Sequence, residues 1–267
     1  MSTSTTALGV TPRITVAVAA RVTTQLRRDH RTLALLLVLP CLLLTLLWWM
    51  FDADGGGADR GGSGFDSLGP PLLALIPFVV MFLVTSVTTL RERSSGTLER
   101  LLSMPTGKGD LLGGYALAFG LVAAVQSLLA VLLSVWVLGL DVAGPVPMLV
   151  VVAVADAVLG TALGLFVSAF ARTEFQAVQF MPALVIPQLL LCGLFLPREA
   201  MPRALEVVSD VLPLSYAVDA MRSVAAASGG SGLGGVDGSV WRDLLVVVGF
   251  ALAGLVLGAA TLRRRTA

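Results

Sequence analysis

The side chains that could do chemistry are few, and their spacing serves none of the common catalytic schemes. Gly107-Lys108-Gly109 is the nearest approach to a nucleotide-binding P-loop. The pattern G-x-x-x-x-G-K-[ST] needs a leading Gly to wrap the loop around phosphate and a hydroxyl after the Lys to hold magnesium. Leu102 and Gly109 stand in those two places. His30 is the single histidine and lies outside every long apolar run, which excludes a Ser–His pair within a membrane. No HExxH zinc motif occurs, and Ser63 fails the GxSxG nucleophile turn because Phe65 replaces the closing Gly. Cys41 and Cys192 fall in apolar stretches without disulfide or metal spacing. No catalytic residue, no metal site and no cofactor is expected in this chain.

Two polar residues stand out because of where they sit. Asp156 is the one acid well inside an apolar run, and Gln126 lies in another. An ionised Asp at mid-bilayer costs about 2.5–3.5 kcal/mol on insertion scales, so it should face protein or water. Asp156 then either lines a substrate route or pairs across a subunit contact, or it is protonated or reaches to the membrane rim. Gln126 suits a polar contact between helices, and Gly160 and Gly164 make a small-xxx-small pair that lets two helices approach closely.

The elements that must carry these residues follow from composition. Of 267 residues, 56% are hydrophobic and only 13% charged, and the mean hydropathy is +0.90. Soluble domains carry about 25% charged residues, so the solvent of this chain is the lipid bilayer. Six runs are long enough to cross it as helices: Leu33–Phe51, Leu72–Leu90, Leu111–Leu138, Pro147–Phe170, Ala177–Leu196 and Leu244–Leu262. Pro77, Pro182 and Pro187 lie within them. The first run is too long, and its polar lead too extended, for a cleaved signal peptide. Six crossings put both termini on one side. Thirteen of the 18 basic residues fall on that side, against five of the 17 acids, so that side is expected to be the cytoplasm. The net charge of +1 gives no reason to expect a nucleic-acid partner. The fold class is all-α integral membrane, with a disordered tail over 1–10 and a single transmembrane domain over 11–267.

Three segments outside the crossings are patterned. Pro12 precedes Ile14, Val18, Val22 and Leu26, an apolar stripe at helical spacing with Arg13, Arg21 and Arg28 off it, which predicts an amphipathic helix on the inner leaflet. On the outside, Pro197–Ala227 holds two short helical patterns broken at Pro213, with Ala204, Leu205, Val208 and Leu212 as the stripe of the first; they suit an interfacial or re-entrant hairpin. The inner loop Arg91–Asp110 is the richest. Ser94 and Ser95 are candidate helix caps, Leu98, Leu101 and Leu102 form a narrow apolar face, Glu92 and Glu99 share another face with helical spacing, as do Arg93 and Arg100, and Pro105 closes the run. A short charged helix of this kind either docks in a groove of another protein or is an interfacial connector.

Glu92-x-x-x-Gly96-Thr97-Leu98-Glu99-x-Leu101-x-x-x-Pro105 resembles the signature of the type-2 ABC exporter permeases, the ABC-2 membrane family, within which the chain looks most like the daunorubicin and multidrug efflux permeases. In that family this segment is the coupling helix, seated in a cleft of the ATP-hydrolysing subunit. Pro197, Pro202, Pro213, Tyr216, Asp219 and Arg222 stand where such permeases carry an outer helical hairpin, and the N-terminal helix and six-span count match as well. The resemblance implies a permease subunit of an ATP-driven exporter in a bacterial cell membrane. Its partners would be a separate ABC ATPase carrying the ATP and magnesium, and a second permease subunit. It implies docking roles for Glu92, Arg93, Gly96, Thr97, Leu98, Glu99, Arg100, Leu101 and Pro105. The alternatives from other classes are an ion-coupled secondary transporter, for which only Asp156 offers a coupling group, and a non-transporting membrane anchor that recruits an ATPase.

Overall fold

The computed structural model describes residues 11–52, 64–94, 107–171, 173–227 and 237–261, and these are helical with short connections. The helices are α1 (Pro12–Arg28), α2 (His30–Asp52), α3 (Gly64–Ser94), α4 (Lys108–Leu132), α5 (Val146–Ser168), α6 (Glu174–Leu191), α7 (Arg203–Val211), α8 (Pro213–Ala226) and α9 (Gly238–Thr261). Six of them, α2 to α6 and α9, are long and apolar enough to cross a membrane. Residues 1–10, and with them the expected tail, lie outside the described residues.

The crossings occupy the six apolar runs, with three differences of extent. The second continues as helix through Arg91–Ser94, where the described part of this segment ends. The third leaves α geometry at Leu132 and makes one wider turn over Leu133–Val137, closed by Leu138 N–H donating to the Leu133 carbonyl at 3.0 Å. The fifth stops at Leu191, short of Leu196, because Gly193 takes φ +89°, a left-handed conformation that ends helices and favours glycine. Pro77 lies within α3 and Pro182 and Pro187 within α6, and Pro40 in α2 and Pro70 and Pro71 in α3 add three more such positions. Each removes one main-chain donor and so frees a carbonyl one turn earlier.

α5 is the centre of the bundle, apolar on every side and packed against α3, α4, α8 and α9. Its closest partner is α3. A Cβ on Gly160 would lie 2.4 Å from the Phe78 carbonyl oxygen, and one on Gly164 would lie 2.6 Å from that of Phe82. The expected small-xxx-small pair therefore brings two backbones together. The register rises in both helices at once, so α3 and α5 run parallel. Phe65, Phe78 and Phe82 of α3 are fully buried in this core with Met148 and Leu149 of α5. α2 and α6, by contrast, leave rows of apolar side chains exposed, among them Leu35, Leu42 and Trp49, and Val178, Ile186 and Leu190. Such faces suit lipid tails or a second subunit.

α1 departs from the expected leaflet-lying helix in one respect. Its stripe of Val18, Val22 and Leu26 is buried against α4, with Ile14 partly so, and not left open to lipid. The seat is made by Gly113 and Gly114 of α4. A Cβ at Gly114 would come within 2.5 Å of Val18.

Candidate functional site

The inner loop holds most of the residues expected to dock. Gly96, Thr97, Leu98, Glu99, Arg100, Leu101 and Pro105 lie outside the described residues, while Arg93 lies in the last turn of α3. Both roots of that loop are described, and both are bound to α1.

At the first root, Glu92 is buried instead of being presented on a docking face. Its carboxylate accepts from the Tyr115 hydroxyl of α4 and from the Gln25 side chain of α1, and Arg21 Nη2 stands 3.8 Å away. Its neighbour Arg91 points elsewhere, donating from Nε and Nη2 to the two carboxylate oxygens of Glu174 at 3.0 and 3.1 Å, which ties α3 to the start of α6. At the second root, Asp110 is buried with its Oδ1 accepting from the Thr11 main-chain N–H and from the Thr15 hydroxyl at 3.2 Å. Its Oδ2 accepts from Gly107 N–H at 3.1 Å and so caps α4. Charge-assisted bonds of this kind are roughly twice as strong as neutral ones. Asp110 was visible in sequence only as one acid among five on its side. The signal that marks it is an acid in the first turn of a helix that follows a Gly-rich stretch.

The α1–α2 junction is held in the same region. The Thr32 hydroxyl, at 2.7 Å, and its main-chain N–H both donate to Asp29 and hold that carboxyl below the ordinary carboxylate range.

The outer segment has the two helices expected of it, α7 and α8, with Pro197, Pro202 and Pro213 at the starts of its three short helical pieces. Pro213 is well placed in the first turn of α8, where its missing N–H is not needed. The stripe on α7 is turned away from the bundle. Leu205 and Val208 are exposed, and the buried residue is Ser209, whose hydroxyl donates to the Leu191 carbonyl at 2.8 Å. α8 is instead the buried member, packed against α3, α5 and α9. Arg198 closes the assembly. Its guanidinium donates to Asp210 at the end of α7 and to Asp219 of α8, and lies 5.3 Å from the centre of the Tyr216 ring. The Tyr216 hydroxyl donates to the Asp210 carbonyl at 2.7 Å. Burial pushes the Asp219 carboxyl above its ordinary value against the pull of Arg198. Arg222 lies near, close to Gly193. Arg198 was counted in sequence only as an outside charge, and nothing in its spacing from Asp210 and Asp219 announces the pairing.

Asp156 is fully buried within α5, which removes the rim-seeking alternative, and neither carboxyl oxygen has a hydrogen-bond partner among the described residues. Gln126 is likewise buried, and neither amide atom has a hydrogen-bond partner among the described residues. Its neighbour Ser127 donates to the Ala153 carbonyl at 3.1 Å and links α4 to α5. No group of three or more His, Cys, Asp or Glu able to hold a metal occurs among the described residues.

The sequence model of a family described as ABC-2 type transporter matches residues 14–225, a stretch that takes in α1, both loop roots and nearly all of α8. The chain is 27% identical over 187 residues to ABC transporter G family member 20 of Dictyostelium discoideum, covering 70% of this chain and 25% of that protein. It is 28% identical over 155 residues to the probable multidrug ABC transporter permease YbhR of Escherichia coli, covering 58% and 42%. It is 25% identical over 180 residues to the linearmycin resistance permease protein LnrN of Bacillus subtilis, covering 67% and 44%. The chain thus spans less than half the length of each of these relatives.

Proposed function

The chain belongs to the ABC-2 type transporter family as a transmembrane permease component, and we propose that it forms the substrate path of an ATP-driven exporter whose ATPase is a separate subunit. The observation that carries this reading is the bracing of the inner loop. Glu92 before it and Asp110 after it are both anchored on α1, with Tyr115 cross-linking α3 to α4. A segment that receives force needs roots that cannot yield separately, and this one has them.

In this reading residues 95–106 seat in the ATPase, with Leu98, Glu99, Arg100 and Leu101 as the contacting side chains. Glu92 holds the root in place. ATP and magnesium are bound by the ATPase, closure of which presses on the loop, and α1, α3 and α4 take up the motion as a unit. The permease supplies two arrangements of its spans, and the ATPase biases one against the other. The outer cap of α7 and α8, latched by Arg198, closes the exit. Two permease subunits, identical or paralogous, pair through their exposed apolar faces. Both termini lie in the cytoplasm of a bacterial cell, as the distribution of Arg supports. Drugs are the substrate class suggested by relatives named as multidrug and linearmycin resistance permeases.

Co-expression with a candidate ABC ATPase tests the reading. The wild-type chain is expected to co-purify with the ATPase, and the double variant Glu99→Arg/Leu101→Asp to lose it while remaining in the membrane. Unchanged complex formation in that variant would remove the loop from the interface.

A further inference from the structure

A cavity of about 390 Å³ opens between α1, the start of α2 and the end of α3. Its polar wall is made by Arg21, Gln25, Thr32, Thr88 and Arg91, with Val22 and Leu26 as an apolar floor. The two carboxylates that also border it are engaged. Asp29 accepts twice from Thr32, and Glu92 accepts from Tyr115 and faces Arg21. Thr32 donates to Asp29, Gln25 to Glu92 and Arg91 to Glu174, so the guanidinium of Arg21 is what the lining leaves to a ligand. Arg21 Nη1 is buried with no hydrogen-bond partner among the described residues, and a guanidinium nitrogen left so is costly unless an acceptor completes it. A shallower hollow that shares Arg21 and Gln25 continues along α1 past Thr24 to Arg28, adding a second guanidinium on the open side.

The cavity is also continuous with a membrane-facing surface. Thr32 lies on its wall, and Leu35, Leu39, Leu42 and Leu46 follow it at intervals of three and four along α2, all exposed. A guanidinium donor at one end of an exposed apolar ridge is complementary to a phospholipid, with a phosphate for the guanidinium fork and chains for the leucines.

We propose that this cavity binds the phosphodiester headgroup of a phospholipid, with Arg21 as its principal donor and the acyl chains lying along the leucine ridge of α2. The site is separate from the ATPase contact and does not depend on that assignment. A lipid seated there wedges between α1, α2 and the α3 root, so its presence stiffens the brace around the inner loop.

The test uses the full-length chain purified in detergent, stripped of lipid and titrated with dioleoylphosphatidylglycerol, with bound lipid counted by native mass spectrometry. One retained lipid per chain is expected, and Arg21→Gln is expected to weaken its binding about tenfold, the loss typical of a charge-assisted bond. Arg21 also faces Glu92, so Thr88→Trp provides a second probe that fills the cavity without removing a charge; it too is expected to displace the lipid. Arg13→Gln, on an exposed part of α1 away from the cavity, is expected to change nothing. Equal losses in Arg13→Gln and Arg21→Gln would mean diffuse attraction of basic residues to anionic lipid and would overturn the site. Retention unaffected by both Arg21→Gln and Thr88→Trp would do the same. Inorganic phosphate run in parallel separates the sources. If it competes as well as the lipid at equal concentration, the ligand is a free phosphate group and the lipid assignment fails.

Discussion

The Tyr115 hydroxyl donates to the Glu92 carboxylate inside the protein, joining the last turns of the second crossing to the first turns of the third. The bond joins the two roots of the loop through which this chain is proposed to meet its ATPase. Tyr115→Phe removes the donor, keeps the ring's packing against Phe119, and leaves a buried acid short of a partner. The expected cost is about 1–3 kcal/mol, read as a lower melting temperature of the detergent-purified chain. Co-purification with the ATPase should persist, whereas stimulation of ATP hydrolysis by the permease should fall. Loss of the complex itself would show that Tyr115 shapes the docking segment and not its transmission.

Asp110 gives the matching prediction at the other root. Asp110→Ala strips acceptors from Thr11, Thr15 and Gly107 together and should destabilise by about 1–3 kcal/mol. Thr15→Val removes one of these bonds and should cost about 0.5–1.5 kcal/mol. Proteolysis confined to the α1 region in Asp110→Ala, with the crossings intact, would identify α1 as the element released. Equal protease resistance in wild type and variant would deny that Asp110 anchors it.

The outer latch predicts a pH dependence. Arg198→Ala leaves Asp219, whose carboxyl burial already pushes upward, without its cation. A carboxyl with a raised folded-state value binds its proton more tightly when folded than when unfolded, so stability rises as pH falls through that value. Arg198→Ala should therefore lose most stability near pH 7 and recover part of it near about pH 5, and Arg198→Ala/Asp219→Asn should be flat over the same range. Melting curves at a series of pH values would show it. A single-variant deficit independent of pH would assign the latch to Tyr216 stacking instead.

The two glycines of α5 divide from others in the chain. Gly160→Ala places a methyl against the Phe78 carbonyl and must separate α3 from α5, a strain of about 1–3 kcal/mol. Gly249→Ala in α9 has open space and should be neutral or slightly stabilising. Comparable yields and melting temperatures for the two would contradict the close contact.

Asp156 can be tested in both directions at once. Asp156→Leu removes two unpartnered buried oxygens and should raise the melting temperature by the equivalent of about 1–3 kcal/mol. A stabilised variant that no longer supports substrate-stimulated ATP hydrolysis would mark the residue as kept for transport. One that is stabilised and fully active would mark it as incidental.

Hydropathy reached the six crossings because each must span the same apolar slab, and periodicity found α1 and the Gly160–Gly164 seam because both depend on spacing within one helix. What pattern could not supply was the partner of each polar side chain. Asp110 meets residues 95 and 99 positions away, and Glu92 turns inward because Tyr115 and Arg21 arrive from other helices. The stripe of α7 carried no direction for a related reason. Apolar residues at helical spacing face a soluble protein's core, but beside a bilayer the same stripe can face lipid, and Ser209 takes the inside place by bonding to the end of α6. Gln126 and Ser127 are adjacent and both polar, and only the rotation of α4 decides which of them reaches α5.

Phe78 and Phe82 press their main chain against glycine, so at Gly160 and Gly164 the second and fourth crossings have no side-chain layer between them to shear. They must travel as one beam. A push at its cytoplasmic end would reach the far end with little delay or loss, where α8 rests against both members. The play in the machine then belongs to the lightly packed first and fifth crossings, and a hinge sought there by spin-label distances is better placed than one sought in the centre.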